Sequence, residues 1–186
     1  MSDCRKAVFL DRDGTLNMEK SYLSDPDQLV LFPEVIPALK KLQEARYLLF
    51  IVTNQSGIGR GYYTEADMHR VNERLLTQVK SAGVHFSQIY FSPESPDVPS
   101  RGRKPSPQFL HDAARDFNIT LADSYMVGDK LSDIECGWNA GVKTSILVRT
   151  GYGRETEEGL DHCRDDLSVV DDLLAGADWI LGQGHP

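Results

Sequence analysis

The sequence predicts an α/β fold, a parallel sheet flanked by helices, built as one domain from 186 residues. Two observations predict it. Short runs rich in Val, Ile, Phe and Leu alternate with segments of helical character, giving a βαβα order along the chain. Four of the candidate strands lead into polar clusters: Asp11–Thr15 (DRDGT), Thr53–Gly57 (TNQSG), the loop ending Arg103-Lys104-Pro105, and Gly128–Asp133 (GDKLSD). In an open α/β sheet ligands collect beyond the carboxyl ends of the strands, so the four clusters are expected to converge on one edge.

The first strand is expected at Ala7–Leu10. The stretch Leu16–Leu31 that follows is too long for a minimal turn and too short for a cap domain, and reads as a small flap over the strand ends. A helix at Val35–Ala45 leads to a strand at Leu48–Val52. Thr64 is placed to cap a helix at Glu65–Ala82, with Glu65 and Asp67 in its first turn and Gly83 as its stop. After a strand at Gln88–Phe91, Pro93, Pro96, Pro99 and Pro105 make Ser92–Pro105 an irregular loop. Ser106-Pro107 opens a helix at Pro107–Phe117. A strand at Ser124–Val127, a helix at Leu131–Ala140 and a strand at Thr144–Val148 continue the alternation, and a helix at Ser168–Leu174 and a strand at Asp178–Leu181 are expected to end it.

A composition of 40% hydrophobic and 26% charged residues is that of a soluble globular protein. The net charge of −8 argues against general attraction to nucleic acid or to an anionic membrane, so an anionic small molecule would have to be held by local cations. No stretch approaches the roughly 18 apolar residues of a membrane span. The start, MSDCRKAVFLDRDG, lacks the apolar core and cleavage site of a signal peptide, so a cytoplasmic location is expected, with a monomeric chain. Cys4, Cys136 and Cys163 are odd in number and widely spaced, fitting neither a disulfide framework nor paired metal ligands.

The chemistry lies in the clusters. Asp11 and Asp13 follow a hydrophobic strand one residue apart, which puts both on one side of an extended chain. Bringing Asp129 toward them adds a third negative charge, which is costly unless a cation compensates or one acid stays protonated. Magnesium is the natural cation, since it favours carboxylate oxygens and keeps waters that phosphate oxygens can replace. Phosphoryl transfer then finds a candidate for each role. Asp11 would attack phosphorus to form an aspartyl phosphate, and Asp13 would protonate the leaving oxygen and then activate water. Thr53 would donate its hydroxyl to a phosphoryl oxygen, and Lys104 would neutralise charge developing in the transition state.

These residues resemble the haloacid dehalogenase superfamily: D-x-D-G-T at Asp11–Thr15, a strand-end Thr53, Lys104, and G-D-x-x-x-D at Gly128–Asp133, all in order. The resemblance implies a Rossmann-like, doubly wound sheet with a small flap and no large cap, with magnesium at Asp11, Asp13 and Asp129. Within the superfamily, FLDRDGTLN at Phe9–Asn17, VTNQSGIGRG at Val52–Gly61, RKP at Arg103–Pro105 and SYMVGDKLSD at Ser124–Asp133 resemble the heptose bisphosphate phosphatases, with histidinol-phosphate phosphatases as neighbours. Those enzymes remove the 7-phosphate of D-glycero-D-manno-heptose 1,7-bisphosphate, on the way to activated heptoses for surface glycans. By that resemblance Asn54, Gln55 and Ser56 would contact substrate, Arg103 would recognise its distal portion and Lys130 would assist phosphate binding.

The family commonly carries a structural zinc on cysteines and a histidine before R-K-P. Here that stretch reads FSPESPDVPSRGRKP and offers no such donors, so no zinc is expected. Among phosphatases histidinol phosphate is the runner-up substrate, and a polynucleotide 3′-phosphate comes third, disfavoured by the net acidity. The alternative of another class, a phospho-receiver signalling domain, shares the acidic cluster, Thr and Lys but lacks an acid two residues after the nucleophile.

Overall fold

The structure is a computed structural model that describes residues 5–160 and 164–183. Among the described residues six strands form one parallel sheet: β1 (Ala7–Leu10), β2 (Leu48–Asn54), β3 (Gln88–Ser92), β4 (Tyr125–Gly128), β5 (Thr144–Val148) and β6 (Leu167–Val170). Their spatial order is β3-β2-β1-β4-β5-β6. The helices are α1 (Val35–Glu44), α2 (Ser56–Gly59), α3 (Glu65–Ser81), α4 (Gln108–Phe117), α5 (Leu131–Ala140), α6 (Gly153–Glu157) and α7 (Leu173–Gly182). The chain builds outward from β1 to β3, then returns to the other side of β1 through β4. That reversal opens a crevice beyond the carboxyl ends of β1 and β4.

Strand alternation divides the core between the two faces of the sheet. Val8, Leu10, Leu49 and Ile51 are buried with Leu39 of α1, Leu75 of α3 and Ala177 of α7. Ala7, Phe9, Phe50 and Val52 are buried on the other face with Leu110 of α4 and Cys136 of α5. The sheet is covered on both sides, as a parallel sheet requires. Cys4 and Cys163 lie outside the described residues.

The strands and helices expected up to Val148 appear, with ends shifted by no more than two residues. Thr64 caps α3 as its sequence suggests: its hydroxyl accepts from the Asp67 N–H at 3.2 Å, and the Thr64 N–H donates to Asp67 Oδ2 at 2.7 Å. The Leu16–Leu31 segment is a flap fastened by Leu16, Leu23 and Leu29, which are buried in the core.

The C-terminal expectations are corrected. Ser168 belongs to β6, and Asp178–Leu181 lies within α7. The β-branched pair Val169-Val170 extends the edge of the sheet beside Leu147 and Val148. Asp172 then accepts from the Ala175 N–H at 2.9 Å and starts the helix. Leu173, Ala177 and Ile180 share its buried stripe. A short apolar run such as Trp179-Ile180-Leu181 suits strand or helix equally, and this cap decides for the helix. The short helices α2 and α6 were not anticipated.

Phe50 is fully buried, stacked on Phe9 with ring centroids 5.2 Å apart and edge-on to Phe117 at 5.0 Å. Phe50→Ala is expected to destabilise the fold by about 3–5 kcal/mol, measured by urea denaturation with an unchanged m-value.

Candidate active site

Parallel register brings the polar clusters level. Leu10 is paired with Ile51 on one side and Val127 on the other, and the Asp11 N–H donates to the Val127 carbonyl at 2.9 Å. Asp11 therefore leaves β1 between the ends of β2 and β4, beside Thr53 and Asp129. A cavity of about 320 Å³ opens there, with Asp11, Asp13, Thr53 and Lys104 on its floor. Glu19, Lys20 and Tyr22 of the flap line it from above. Its size suits a small metabolite.

Lys104 is buried with its Nζ 2.7 Å from Asp11 Oδ1 and 2.6 Å from Asp133 Oδ1, and it donates to the Val52 carbonyl at 2.6 Å. Asn54 holds the lysine's main chain: its Oδ1 accepts from the Lys104 N–H at 3.0 Å and its Nδ2 donates to the Lys104 carbonyl at 3.1 Å. Asp133, in the first turn of α5, accepts from the Lys130 N–H at 3.0 Å. Burial disfavours the lysine's charged form, but the two carboxylates outweigh it and its pKa is raised.

The carboxylates of Asp11, Asp129 and Asp133 come together, with one oxygen of each within 4.8 Å of the others. Asp129 Oδ2 accepts from the Tyr152 N–H at 2.9 Å, while its Oδ1 is buried without a hydrogen-bond partner. Space around it exists because residues 14 and 151 are glycines: a Cβ on Gly14 would lie 2.1 Å, and on Gly151 2.2 Å, from Asp129 Oδ2. Both glycines have positive φ, +88° and +55°, so a side chain there is strained as well as blocked.

Burial first, then the neighbouring carboxylates Asp11 and Asp133, push Asp129 up to about 8. Burial likewise raises Asp11 to about 6, against the pull of Lys104. Three buried carboxylates face one buried ammonium, leaving two negative charges. An orphaned buried oxygen, an all-carboxylate donor set and a charge deficit of two fit a hard divalent cation.

The third carboxylate of that group is Asp133, while Asp13 lines the same cavity with partners of its own. Asp13 Oδ2 accepts from Arg12 at 2.8 Å and Gln55 at 2.9 Å, and its Oδ1 accepts from Asn17 at 3.0 Å. Burial raises its proton affinity, but these partners, Arg12 foremost, hold it below the ordinary carboxylate range. Thr53 Oγ1 accepts from Gln55 Nε2 at 2.8 Å, which leaves its own hydroxyl proton free to donate into the cavity.

Of the remaining expected contacts, Asn54, Gln55, Ser56 and Lys130 line the cavity and Arg103 does not. Arg103 donates to the Glu94 carbonyl at 3.2 Å. Lys130 Nζ sits 3.1 Å from Glu19 of the flap and 4.8 Å from the centre of the Tyr152 ring. Glu19–Tyr22, matched to the family's flap segment only by position, line the cavity; Arg12, Asn17, Tyr63 and Asn72 have no role assigned from the sequence.

Comparison with known proteins agrees with this geometry. Residues 102–176 match the HAD-hydrolase-like family model. The D-glycero-beta-D-manno-heptose-1,7-bisphosphate 7-phosphatase of Haemophilus ducreyi is 44% identical over 154 residues, covering 79% of this chain and 85% of the relative. The chain belongs to the heptose bisphosphate phosphatase family. The Yersinia pestis enzyme of the same name is 37% identical over 188 residues, covering 97% of this chain and 92% of its own. The crystal structure of D,D-heptose 1,7-bisphosphate phosphatase from B. bronchiseptica, complexed with magnesium and phosphate, is similar with a TM-score of 0.89 at 30% identity. That likeness covers 96% of this chain and 99% of the other. Enzymes of this family are magnesium-dependent haloacid dehalogenase phosphatases.

The raised pKa values carry a stability prediction. Burial, together with neighbouring carboxylates, raises the proton affinities of Asp11 and Asp129 above those of the unfolded chain, so the folded metal-free protein binds more protons. Their stabilising contribution is complete below about pH 4 and is lost as pH rises through the folded values. In EDTA the melting temperature should therefore fall from pH 5 to pH 8. Magnesium should raise it more at pH 8, where protons no longer compete.

Proposed function

We propose that the chain is a magnesium-dependent phosphomonoesterase that removes the 7-phosphate of D-glycero-D-manno-heptose 1,7-bisphosphate through an aspartyl-phosphate intermediate, in the biosynthesis of nucleotide-activated heptose. The observation that carries this reading is the floor of the cavity: Asp11 held 2.7 Å from the Lys104 ammonium, beside the unpartnered oxygen of Asp129. The names of the Haemophilus and Yersinia relatives favour the β anomer of that sugar. The reading includes a single-domain, monomeric enzyme of the cytoplasm; among the described residues no helix is long and apolar enough to cross a membrane.

Magnesium would be held by the carboxylates of Asp11 and Asp129 with the main-chain carbonyl of Asp13, and would supply positive charge to the phosphoryl oxygens. Asp11 attacks phosphorus with the oxygen that Lys104 does not hold. Lys104 and the Thr53 hydroxyl take up charge on the equatorial oxygens. Asp13 donates a proton to the departing sugar oxygen, then takes one from the water that hydrolyses the aspartyl phosphate. Bound to Arg12, Asn17 and Gln55, it is in the ionised form of the second half. The arriving phosphate dianion raises its proton affinity for the first half. Ser56 and Lys130 line the space for the sugar and its phosphate, and Arg103 would approach the distal portion from behind Glu94.

The reading also has the Ser92–Pro105 loop keep its shape without zinc. Ser92 and Ser100 each donate a hydroxyl to Glu94 Oε2 at 2.7 Å, and the Arg103 N–H donates to Ser100 Oγ at 3.2 Å. This hydrogen-bonded knot supports the inference. A zinc-selective chelator should leave the melting temperature in magnesium unchanged.

The test is phosphate release by the purified protein with magnesium from both anomers of the heptose bisphosphate, histidinol phosphate and a 3′-phosphorylated oligonucleotide. Preference for the β-heptose substrate is expected, with loss in EDTA and recovery on adding magnesium. Preference for another member of the panel would overturn the substrate. Asp11→Asn should lower turnover by at least about 10³-fold while the protein stays folded, and near-normal turnover by it would refute the covalent mechanism.

A further inference from the structure

Arg12 is the largest fully buried side chain among the described residues, and beyond holding Asp13 ionised it has no part in the steps above. Its Nε and Nη2 donate to Asp13 Oδ2 at 3.1 and 2.8 Å, Nη2 also to Gln55 Oε1 at 3.0 Å, and Nη1 to Asn72 Oδ1 at 2.9 Å. A guanidinium does not enter a protein interior without compensation, and here one carboxylate and two amide oxygens supply it.

Gln55 is saturated. Its Nε2 donates to Asp13 Oδ2 at 2.9 Å and Thr53 Oγ1 at 2.8 Å, and its Oε1 accepts from Arg12 at 3.0 Å and from the Tyr63 hydroxyl at 2.6 Å. An amide side chain has two donor hydrogens and two acceptor lone pairs, so nothing remains for a substrate. The orientation of the amide is fixed as well: reversed, it would set its oxygen against a carboxylate and its hydrogens against a guanidinium.

We propose that Arg12, Gln55, Tyr63 and Asn72 form a positioning network that aims the Asp13 carboxylate and the Thr53 hydroxyl at the reacting phosphoryl group, and that the Gln55 side chain acts through these two residues and not on the substrate. The inference rests on the phosphatase reading. It ties Asp13, in the turn after β1, and Thr53 of β2 to α3, which carries Asn72 on its buried face. Errors in such aiming fall on the chemical step and leave ground-state binding nearly untouched, and a displacement of 1 Å can cost about 10²-fold.

The variants are Tyr63→Phe, which removes the hydroxyl that Gln55 accepts, Asn72→Leu, which leaves Arg12 Nη1 unpaired, and Asn72→Asp, which restores an acceptor oxygen. Each is assayed with magnesium on the best phosphomonoester of the panel. Rates are referred to folded protein, and inorganic phosphate serves as a competitive inhibitor. Tyr63→Phe should lower kcat about 3–10-fold and Asn72→Leu about 10–30-fold, with KM and the phosphate inhibition constant within about twofold of wild type. Asn72→Asp should recover most of the loss. The proposal is overturned if KM rises at constant kcat, which would make the network part of substrate binding and not of aiming, or if only thermal stability falls. Equal loss in Asn72→Asp and Asn72→Leu overturns it too. Wild-type protein that releases phosphate from no member of the panel would refute the phosphatase reading itself, whereas an active wild type with unimpaired variants refutes the network alone.

Discussion

Lys104 carries its charge where water scarcely reaches, with its side chain 2% exposed, and the site is arranged around that charge. Asp11 and Asp133 both contact its ammonium, and those two carboxylates sit close to Asp129. Without the lysine, three buried acids would face one another with no internal counter-charge. With it, and with Lys130 acting from the cavity wall while paired to Glu19, the acids still outnumber the cations. Such a cluster tolerates ionisation only when a cation or protons complete it, so binding a divalent ion and using Asp11 as an ionised nucleophile are aspects of one electrostatic problem. Lysine suits the place because a compact ammonium can satisfy two carboxylates and a carbonyl at once from the end of a flexible stem.

That arrangement depends on the sheet. Asp11, Thr53 and Asp129 belong to strands far apart in sequence, and they meet because the strand order reverses at β1, so that β2 and β4 flank it. Lys104 comes from a loop, and Asn54 at the end of β2 is what grips its main chain at both N–H and carbonyl. A residue read from the motif as a substrate contact thus spends its side chain on placing the lysine. Gln55 does the same for Asp13 and Thr53. In the proposed mechanism Asn54 and Gln55 serve as a jig for Lys104, Asp13 and Thr53.

Most of the fold was legible because a buried parallel sheet needs short apolar strands separated by helices, and Ala7–Leu10 and Thr144–Val148 show that pattern without competing signals. The reading failed after Asp166, where LSVVDDLLAGADWIL offers apolar residues at both strand and helix spacing, and only the capping geometry of Asp172 resolves them. The motif carboxylates and Thr53 were legible from residue type at strand ends, and Lys104 from the R-K-P that closes the proline-rich loop. The second layer was not. Alternation puts Arg12 on the opposite face from Asp11 and Asp13, which invites a solvent-facing reading, yet its side chain curls back under Asp13. A signal did exist in Asn72: Met68, Val71, Leu75 and Val79 mark the buried stripe of α3, and Asn72 sits within it. A polar side chain on an apolar stripe needs a buried partner, and the nearest unexplained charge is Arg12.

The two ion systems have separate duties and are kept apart by one turn of chain. Asp11 looks toward Lys104 and the acidic group, where charge must be met by a cation and the arriving phosphoryl group. Asp13, two residues on, looks toward Arg12 and is already balanced. Had both carboxylates shared one partner, protonation of one would have followed ionisation of the other, and a nucleophile that must be ionised could not have coexisted with an acid that must cycle its proton. The Arg12 guanidinium carries a charge that does not titrate, so in the proposed mechanism Asp13 keeps a fixed counter-charge of its own while Lys104 serves Asp11.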